Sequence, residues 1–404
     1  MILKETLRQV VKSQRSDLSL IEYGVEREKL NEVDLNIPYA LVISGVRRCG
    51  KSTFLRQLLE KTGNAYYFNF EDTRITGFEV EDFQKLNETL VDEYGDYQFY
   101  FFDEIQNAPK WEIFIRSLLD KKKKIVITGS NASLLSKELG TRLTGRHLRY
   151  ELFPFSFKEL LAFTERTPNI DSFEEYFNKG GFPEYLKYDK AEILQELLND
   201  IIARDIIVRH KLRDSKIVKE MALYLLSNIG KEFSYNGLKK LFGLGSTNSA
   251  LSYVSYFEDS YLMFTIPKFD YSLKKQLVNP KKVYSIDNGL SNVNSASFST
   301  DRGQMLENIV FLHLRRNHRD IFYFKEKNEC DFLVKERNAI ISAFQVCYAL
   351  HEENKKRELD GLLEPLIEFN LEEGLILTYN QADEFQLDNK KIVVKPVWKW
   401  LIEK

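Results

Sequence analysis

Three cysteines in 404 residues are too few for a disulfide framework. Cys49, Cys330 and Cys347 are odd in number and form no close pair, which excludes a zinc-ribbon spacing as well. Reduced thiols in a cytoplasmic protein are expected. No run of about 18 apolar residues occurs, so no membrane-crossing helix is expected. Met1 to Gln14 mix charged and apolar residues, without the apolar stretch and small-residue cleavage site of a secretory leader. An excess of one charge is lacking too. With 58 basic and 60 acidic residues the formal net charge is -2, so nothing pulls the whole chain toward nucleic acid or membrane, although local patches can. The five histidines, His147, His210, His313, His318 and His351, are scattered and read as structural or surface residues. Neither a short repeat nor a low-complexity segment is present.

What remains is an ordinary globular composition, 43% hydrophobic and 29% charged. At roughly 100–200 residues per domain, the length suggests two to four domains. Met1 to about Asn36 is polar with helical spacing. Tyr39 to Ser44 is an apolar run ending in a turn at Gly45, and a helical pattern covers Lys51 to Leu59. Ala65 to Phe70 alternates as a strand, Gln98 to Phe102 is nearly all apolar, Trp111 to Leu119 is helical, and Lys124 to Thr128 is a further short strand. Strands that alternate with helices and are apolar on both faces predict an α/β parallel sheet with helices on both faces. This domain is placed at 1–160, and a helical region follows at 161–230.

From Lys231 the pattern changes. Ser234 to Leu241 and Ser246 to Phe257 read as short helices, and Tyr261 to Phe269 and Lys281 to Ile286 as strands. Helix, turn, helix, hairpin is the order of a winged helix, placed at 231–299. The remainder, 300–404, begins with a helix (Met305 to Arg316). Strands follow at Ile321 to Lys325, Cys330 to Val334 and Ile340 to Tyr348, as in a separate small α/β domain.

Gly45-Val46-Arg47-Arg48-Cys49-Gly50-Lys51-Ser52 fits G-x-x-x-x-G-K-[ST] without a mismatch. Glycine at both ends lets the backbone N–H groups of the loop face phosphates, and the helix opened by Lys51, Ser52 and Thr53 points its positive end at them. Lys51 would reach the β and γ phosphates of ATP, and the Ser52 hydroxyl would coordinate Mg²⁺. Cys49 fills space in this loop, and alkylating it is expected to block nucleotide binding. The other half of the site is the apolar strand ending in Asp103-Glu104. A carboxylate at the C-terminal end of a buried strand sits where ligands bind in open α/β sheets. Asp103 would hold the Mg²⁺, and Glu104 would polarise the attacking water. Ser130 or Asn131, after the strand at Lys124, could contact the γ-phosphate. Arg142 and Arg146 are suited to the charge on a transferring phosphoryl group.

Several runs carry a resemblance: Phe102-Asp-Glu-Ile-Gln-Asn, Ile127-Thr-Gly-Ser-Asn, Arg142-Leu-Thr-Gly-Arg146, Leu152-Phe-Pro-Phe-Ser-Phe, Gly180-Gly-Phe-Pro-Glu184, Asp287-Asn-Gly-Leu290, Glu329-Cys-Asp-Phe-Leu333 and Gln345-Val-Cys-Tyr348. Together the chain resembles the widespread prokaryotic AAA-type ATPases with a C-terminal domain of unknown function. The resemblance implies an AAA+ or STAND-like P-loop core, a helical and winged-helix middle, and a restriction-endonuclease-like tail of the PD-(D/E)xK kind. It also implies a sensor role for Ser130 or Asn131 and an arginine-finger role for Arg142 or Arg146. In such a tail Glu307, Asp331 and Gln345 would form the metal-binding centre. Cys347 stands where the fold's lysine would be, and a thiol supplies no fixed positive charge at neutral pH. Lys355 or Lys356 could stand in from the next helix. The tail is therefore expected to be catalytically degenerate, with nuclease activity disfavoured.

The expected function is Mg²⁺-dependent ATP hydrolysis coupled to a conformational change. Two alternatives stay open: a nucleotide-gated DNA-binding protein with or without nuclease activity, and an ATP-binding scaffold with negligible hydrolysis. The second winged-helix segment carries no Lys or Arg, which is poor for phosphate neutralisation. Lys239, Lys240, Lys274, Lys275, Lys281 and Lys282 cluster beside it as a DNA-binding candidate. A protein partner or a second copy of the chain is the other class of partner, and no membrane is expected.

Overall fold

The computed structural model describes residues 1–20, 23–129, 145–295 and 301–403. These fall into two compact units, Met1–Phe153 and Pro154–Lys404.

The first unit is built on strands β1 (Ala40–Ser44), β2 (Ala65–Asn69), β3 (Phe99–Asp103), β4 (Lys124–Gly129) and β5 (His147–Glu151). All pair in parallel, in the order β2-β3-β4-β1-β5. The helices are α1 (Lys4–Leu20), α2 (Lys51–Thr62), α3 (Asp82–Tyr94) and α4 (Trp111–Asp120). Parallel strands need helical crossovers that cover both faces, which is why β1 to β4 are largely apolar. One face packs Val42, Phe68, Phe102 and Ile127 against Leu7 and Val10 of α1, Leu86 of α3 and Ile115 of α4. Helix α1 is tied to the sheet by Gln14, whose side chain bonds both the carbonyl and the N–H of Asn69 at 3.0 and 2.9 Å. Strand β5 was not expected. Its sequence, His-Leu-Arg-Tyr-Glu, is only partly buried, as suits an edge strand, and so lacks the apolar run that marks the others.

The second unit opens with helices α5 (Phe157–Thr164), α6 (Ile170–Lys179), α7 (Pro183–Tyr188), α8 (Ala191–Asp200) and α9 (Ser215–Leu226). Ser156 and Asn169 each start a helix with a capping box, closing orphan N–H groups at the first turn. A three-stranded sheet follows, ordered β6 (Glu232–Phe233), β8 (Lys281–Ser285), β7 (Met263–Pro267). Helices α10 (Tyr235–Leu241) and α11 (Thr247–Asp259) precede β7. The link from β7 to β8 holds a short helix, α12 (Leu273–Val278), where a plain hairpin tip was expected. Helix α13 (Asn288–Asn294) leads to α14 (Arg302–Asn317).

The tail forms a six-stranded mixed sheet from β9 (Asp320–Lys325), β10 (Glu329–Glu336), β11 (Ala339–Cys347), β12 (Glu373–Thr378), β13 (Asp383–Leu387) and β14 (Lys390–Pro396). Its order is β13-β14-β12-β11-β10-β9. Helix α15 (Glu352–Glu368) lies across it, burying Leu362 and Leu366 against Leu333, Ile376 and Ile392. No helix among the described residues is long and apolar enough to cross a membrane.

Candidate functional site

The loop between β1 and α2 closes over the C-terminal end of the first sheet. A Cβ at Gly45 would lie 2.1 Å from the Leu152 carbonyl oxygen, so only glycine lets the loop leave β1 this close to the chain after β5. Gly50 sits at φ +97°, a left-handed conformation that costs a glycine little, and it hands the chain directly to α2. The Lys51 ammonium is buried and donates to the carbonyls of Gly45 and Val46 at 3.2 and 3.1 Å. Cys49 is fully buried, with its thiol 3.4 Å from the Leu152 carbonyl oxygen, and burial pushes its pKa up. The expectation that alkylation there would block nucleotide binding therefore meets a thiol that reagents reach poorly in the folded protein.

Beneath the loop, β3 delivers the two acidic side chains. Asp103 is buried, and burial with the neighbouring Glu104 charge pushes its carboxyl up, against hydrogen bonds from Thr128 and Ser52 that favour the ionised form. Glu104 has φ +48°, and this left-handed turn brings its Oε1 to 3.8 Å from the Lys51 ammonium. Thr128 on β4 ties the pair together. Its hydroxyl donates to Asp103 Oδ1 and accepts the Glu104 N–H at 2.9 Å. Gln106 donates its side-chain amide to Glu104 Oε2, and its own Oε1 is buried without a partner among the described residues.

Lys51, Ser52, Asp103 and Glu104 are thus brought together at one end of the sheet. Arg27, Gln106 and Thr128 join them unannounced. Arg27, also buried, donates to the carbonyls of Cys49 at 2.9 Å and Phe153 at 2.6 Å, bracing the loop from beneath. Ser130, Asn131 and Arg142 lie outside the described residues. Arg146 stands at the other end of the sheet. Its carbonyl accepts the N–H of Ala40, where β1 begins, and its guanidinium pairs with Asp120 at 2.9 Å. Five residues of strand, about 16 Å, separate that end from the loop, so Arg146 does not serve the site of its own chain.

A family profile described as an AAA domain matches residues 38–161, and a second, a domain of unknown function (DUF8612), matches 170–300. Uncharacterized protein MJ1544 of Methanocaldococcus jannaschii is 37% identical over 391 residues, covering 89% of this chain and 87% of that protein. The chain belongs to its family. An uncharacterized protein of Haemophilus influenzae is 30% identical over 387 residues, covering 90% of this chain and 94% of its own. Among solved structures, AMPPCP-bound DnaA from Aquifex aeolicus covers 57% of this chain and 85% of its own at 15% identity, with a TM-score of 0.28, too remote to bear on function. The loop and carboxylates described above all fall inside the AAA domain.

In the second unit of this family member, Glu307 of α14, Asp331 of β10 and Gln345 of β11 are brought to one open cavity of about 780 Å³. Lys355 and Lys356 do not line it, and Lys355 lies 4.5 Å over the Phe385 ring instead. Burial pushes the Cys347 thiol up to about 12, so it carries no charge near neutrality. Lys282 lines the cavity too, as do Lys325, Lys327 and Arg357. Instead of standing on the surface as part of a DNA-binding patch, Lys282 is 3% exposed. Burial disfavours its charge, but Glu307 and Asp331 outweigh that and hold it well above its ordinary pKa.

Proposed function

We propose that the AAA domain binds ATP with Mg²⁺ and hydrolyses it, and that the nucleotide state drives a conformational change. The observation that carries this is the convergence of Lys51, Asp103 and Glu104 at the C-terminal end of one parallel sheet, with the Lys51 ammonium 3.8 Å from Glu104. Ligands of open α/β sheets bind at that end.

The residues suit the ligands. The Lys51 ammonium rests on two loop carbonyls and can exchange them for phosphate oxygens. The Ser52 hydroxyl already meets Asp103, which supplies the hard oxygen donors that Mg²⁺ takes. Bound Mg²⁺ would neutralise charge on the β and γ phosphates. Glu104 would then orient the attacking water and take its proton, with Gln106 and the Thr128-anchored backbone fixing where that carboxylate points.

A nucleotide-binding titration tests the first half. Wild type, Lys51→Ala and Ser52→Ala are titrated with a non-hydrolysable ATP analogue, with and without Mg²⁺. Lys51→Ala should weaken binding about 10- to 100-fold, the worth of a charge-assisted bond. Ser52→Ala should lose the Mg²⁺ dependence. Equal affinities across the three would refute nucleotide binding at this loop.

DNA is the second partner class. Lys240, Lys274 and Lys275 are exposed and Lys239 is half-buried, whereas Lys282 has turned inward. A salt-dependent affinity for duplex that falls in a Lys274→Ala/Lys275→Ala variant would support this reading. Absence of binding at low salt would leave a protein partner or a second copy of the chain as the target of the second unit.

A further inference from the structure

The carboxylate centre of the second unit falls where the resemblance implies a divalent metal, and its donors can be tested for that role. The Lys282 ammonium of β8 lies 3.2 Å from Glu307 Oε1, 2.9 Å from Glu329 Oε1 and 3.0 Å from Asp331 Oδ1. The other donors are engaged as well. Tyr284 donates to Glu307 Oε1 at 2.6 Å, and the Val346 N–H donates to Asp331 Oδ2 at 2.9 Å. Gln345, the expected third ligand, turns its amide nitrogen to Glu358 at 2.7 Å, and its oxygen accepts the Asp331 N–H at 3.3 Å. Lys325 meets the second oxygen of Glu329 at 3.0 Å. Among the described residues, no group of three His, Cys, Asp or Glu is arranged to hold a metal ion. The set does not fit a divalent cation. Such an ion needs several oxygens at about 2.0–2.6 Å around one point, and here that point is taken by an ammonium.

We infer that Lys282 is the resident cation of this centre, a tethered ammonium in the place a divalent metal would take, so that the cavity works without a metal. The consequence is structural as well as chemical. Lys282 and Tyr284 are both on β8, so the three-stranded sheet is pinned to α14 and β10 through one buried charge cluster. The lysine missing at Cys347 is supplied from a strand that precedes the tail, and it neutralises the carboxylates instead of leaving them for a metal. A divalent ion could enter only by displacing the ammonium from the three carboxylates it now meets.

The test is Mn²⁺ binding to the full chain, followed by electron paramagnetic resonance of the free ion. Wild type and Asp331→Asn should give the same titration, since no Mn²⁺ is expected on Asp331. Lys282→Met, checked for folding by circular dichroism, should gain a site that binds Mn²⁺ about tenfold or more tightly than wild type does. A second change, Asp331→Asn, should abolish that gain. A wild-type site lost in Asp331→Asn overturns the inference, as does a folded Lys282→Met with no gain. Should Lys282→Met not fold, acetic anhydride labelling of wild type decides. Lys282 protected equally with and without Mn²⁺ supports the inference, and Mn²⁺-dependent labelling of Lys282 overturns it.

Discussion

Thr128 touches both acidic residues of the candidate ATP site, and nothing in its sequence position marks it out. It is the last apolar-strand residue before Gly129, and its partners Asp103 and Glu104 lie more than twenty residues earlier. Removing the hydroxyl with Thr128→Val should lower kcat for ATP about 10- to 100-fold, as losses around a metal ligand usually do, with little change in nucleotide affinity. Thr128→Ser keeps the hydroxyl and should keep the rate. Equal kcat in Thr128→Val and wild type would make the contact merely structural. Gln106 offers a companion case. Gln106→Met keeps the volume but frees the Glu104 carboxylate, and a several-fold change in kcat at unchanged analogue affinity is expected if that amide sets the carboxylate's direction. Arg27 and Thr128 were illegible in the sequence because their contacts join segments far apart along the chain, and no local spacing encodes that. Gln106 lies only two residues from Glu104, but a side-chain amide at that spacing carries no recognised chemical signal by itself. Lys51, Asp103 and Glu104 were legible because their motif is local and the strand patterns around it are strong.

At the scale of elements, the turn between β8 and α13 depends on Asp287. Its carboxylate caps α13 through the Leu290 N–H at 2.9 Å and accepts the Gly181 N–H at 2.6 Å, joining two stretches 106 residues apart. The group is buried, and burial raises its pKa to about 6 against the hydrogen bonds. A raised folded-state pKa adds stability that is present below the unfolded value, near 4, and is lost as pH rises through about 6. Wild type should therefore lose on the order of 3 kcal/mol relative to Asp287→Asn between about pH 4 and pH 7, read from urea unfolding at each pH. A difference that stays flat across that window would contradict a buried, raised carboxyl. The turn's sequence, Asp287-Asn-Gly-Leu290, stood out only as part of a resemblance, and its structural task was hidden. β1 to β4 are largely apolar and were readable to within a residue or two, and the half-exposed β5 and β13 were missed for want of an apolar run. Burial alone did not decide legibility, since β12 was missed although it is mostly buried. Lys282 was misread because lysine is almost always at the surface, and only pairing with carboxylates allows it inside.

For the whole molecule, the two compact units give separate readouts. Saturating ATP analogue with Mg²⁺ should stabilise the first unit by about 2.7 kcal/mol at a hundredfold excess over Kd, and Lys51→Ala should remove that gain. Lys282→Met, by contrast, should destabilise the second unit by roughly 3–5 kcal/mol, because it leaves buried carboxylates without their cation, and nucleotide should not rescue it. Differential scanning calorimetry of each variant with and without analogue checks both.

The most direct test of the central claim is steady-state ATP hydrolysis by wild type and Glu104→Gln at matched nucleotide occupancy. Hydrolysis that requires Mg²⁺ and falls at least about 100-fold in Glu104→Gln, with analogue affinity preserved, is the expected result. Wild-type turnover no faster than Glu104→Gln, in a protein that still binds ATP, would contradict hydrolysis at this site and leave the nucleotide as a structural or switch ligand.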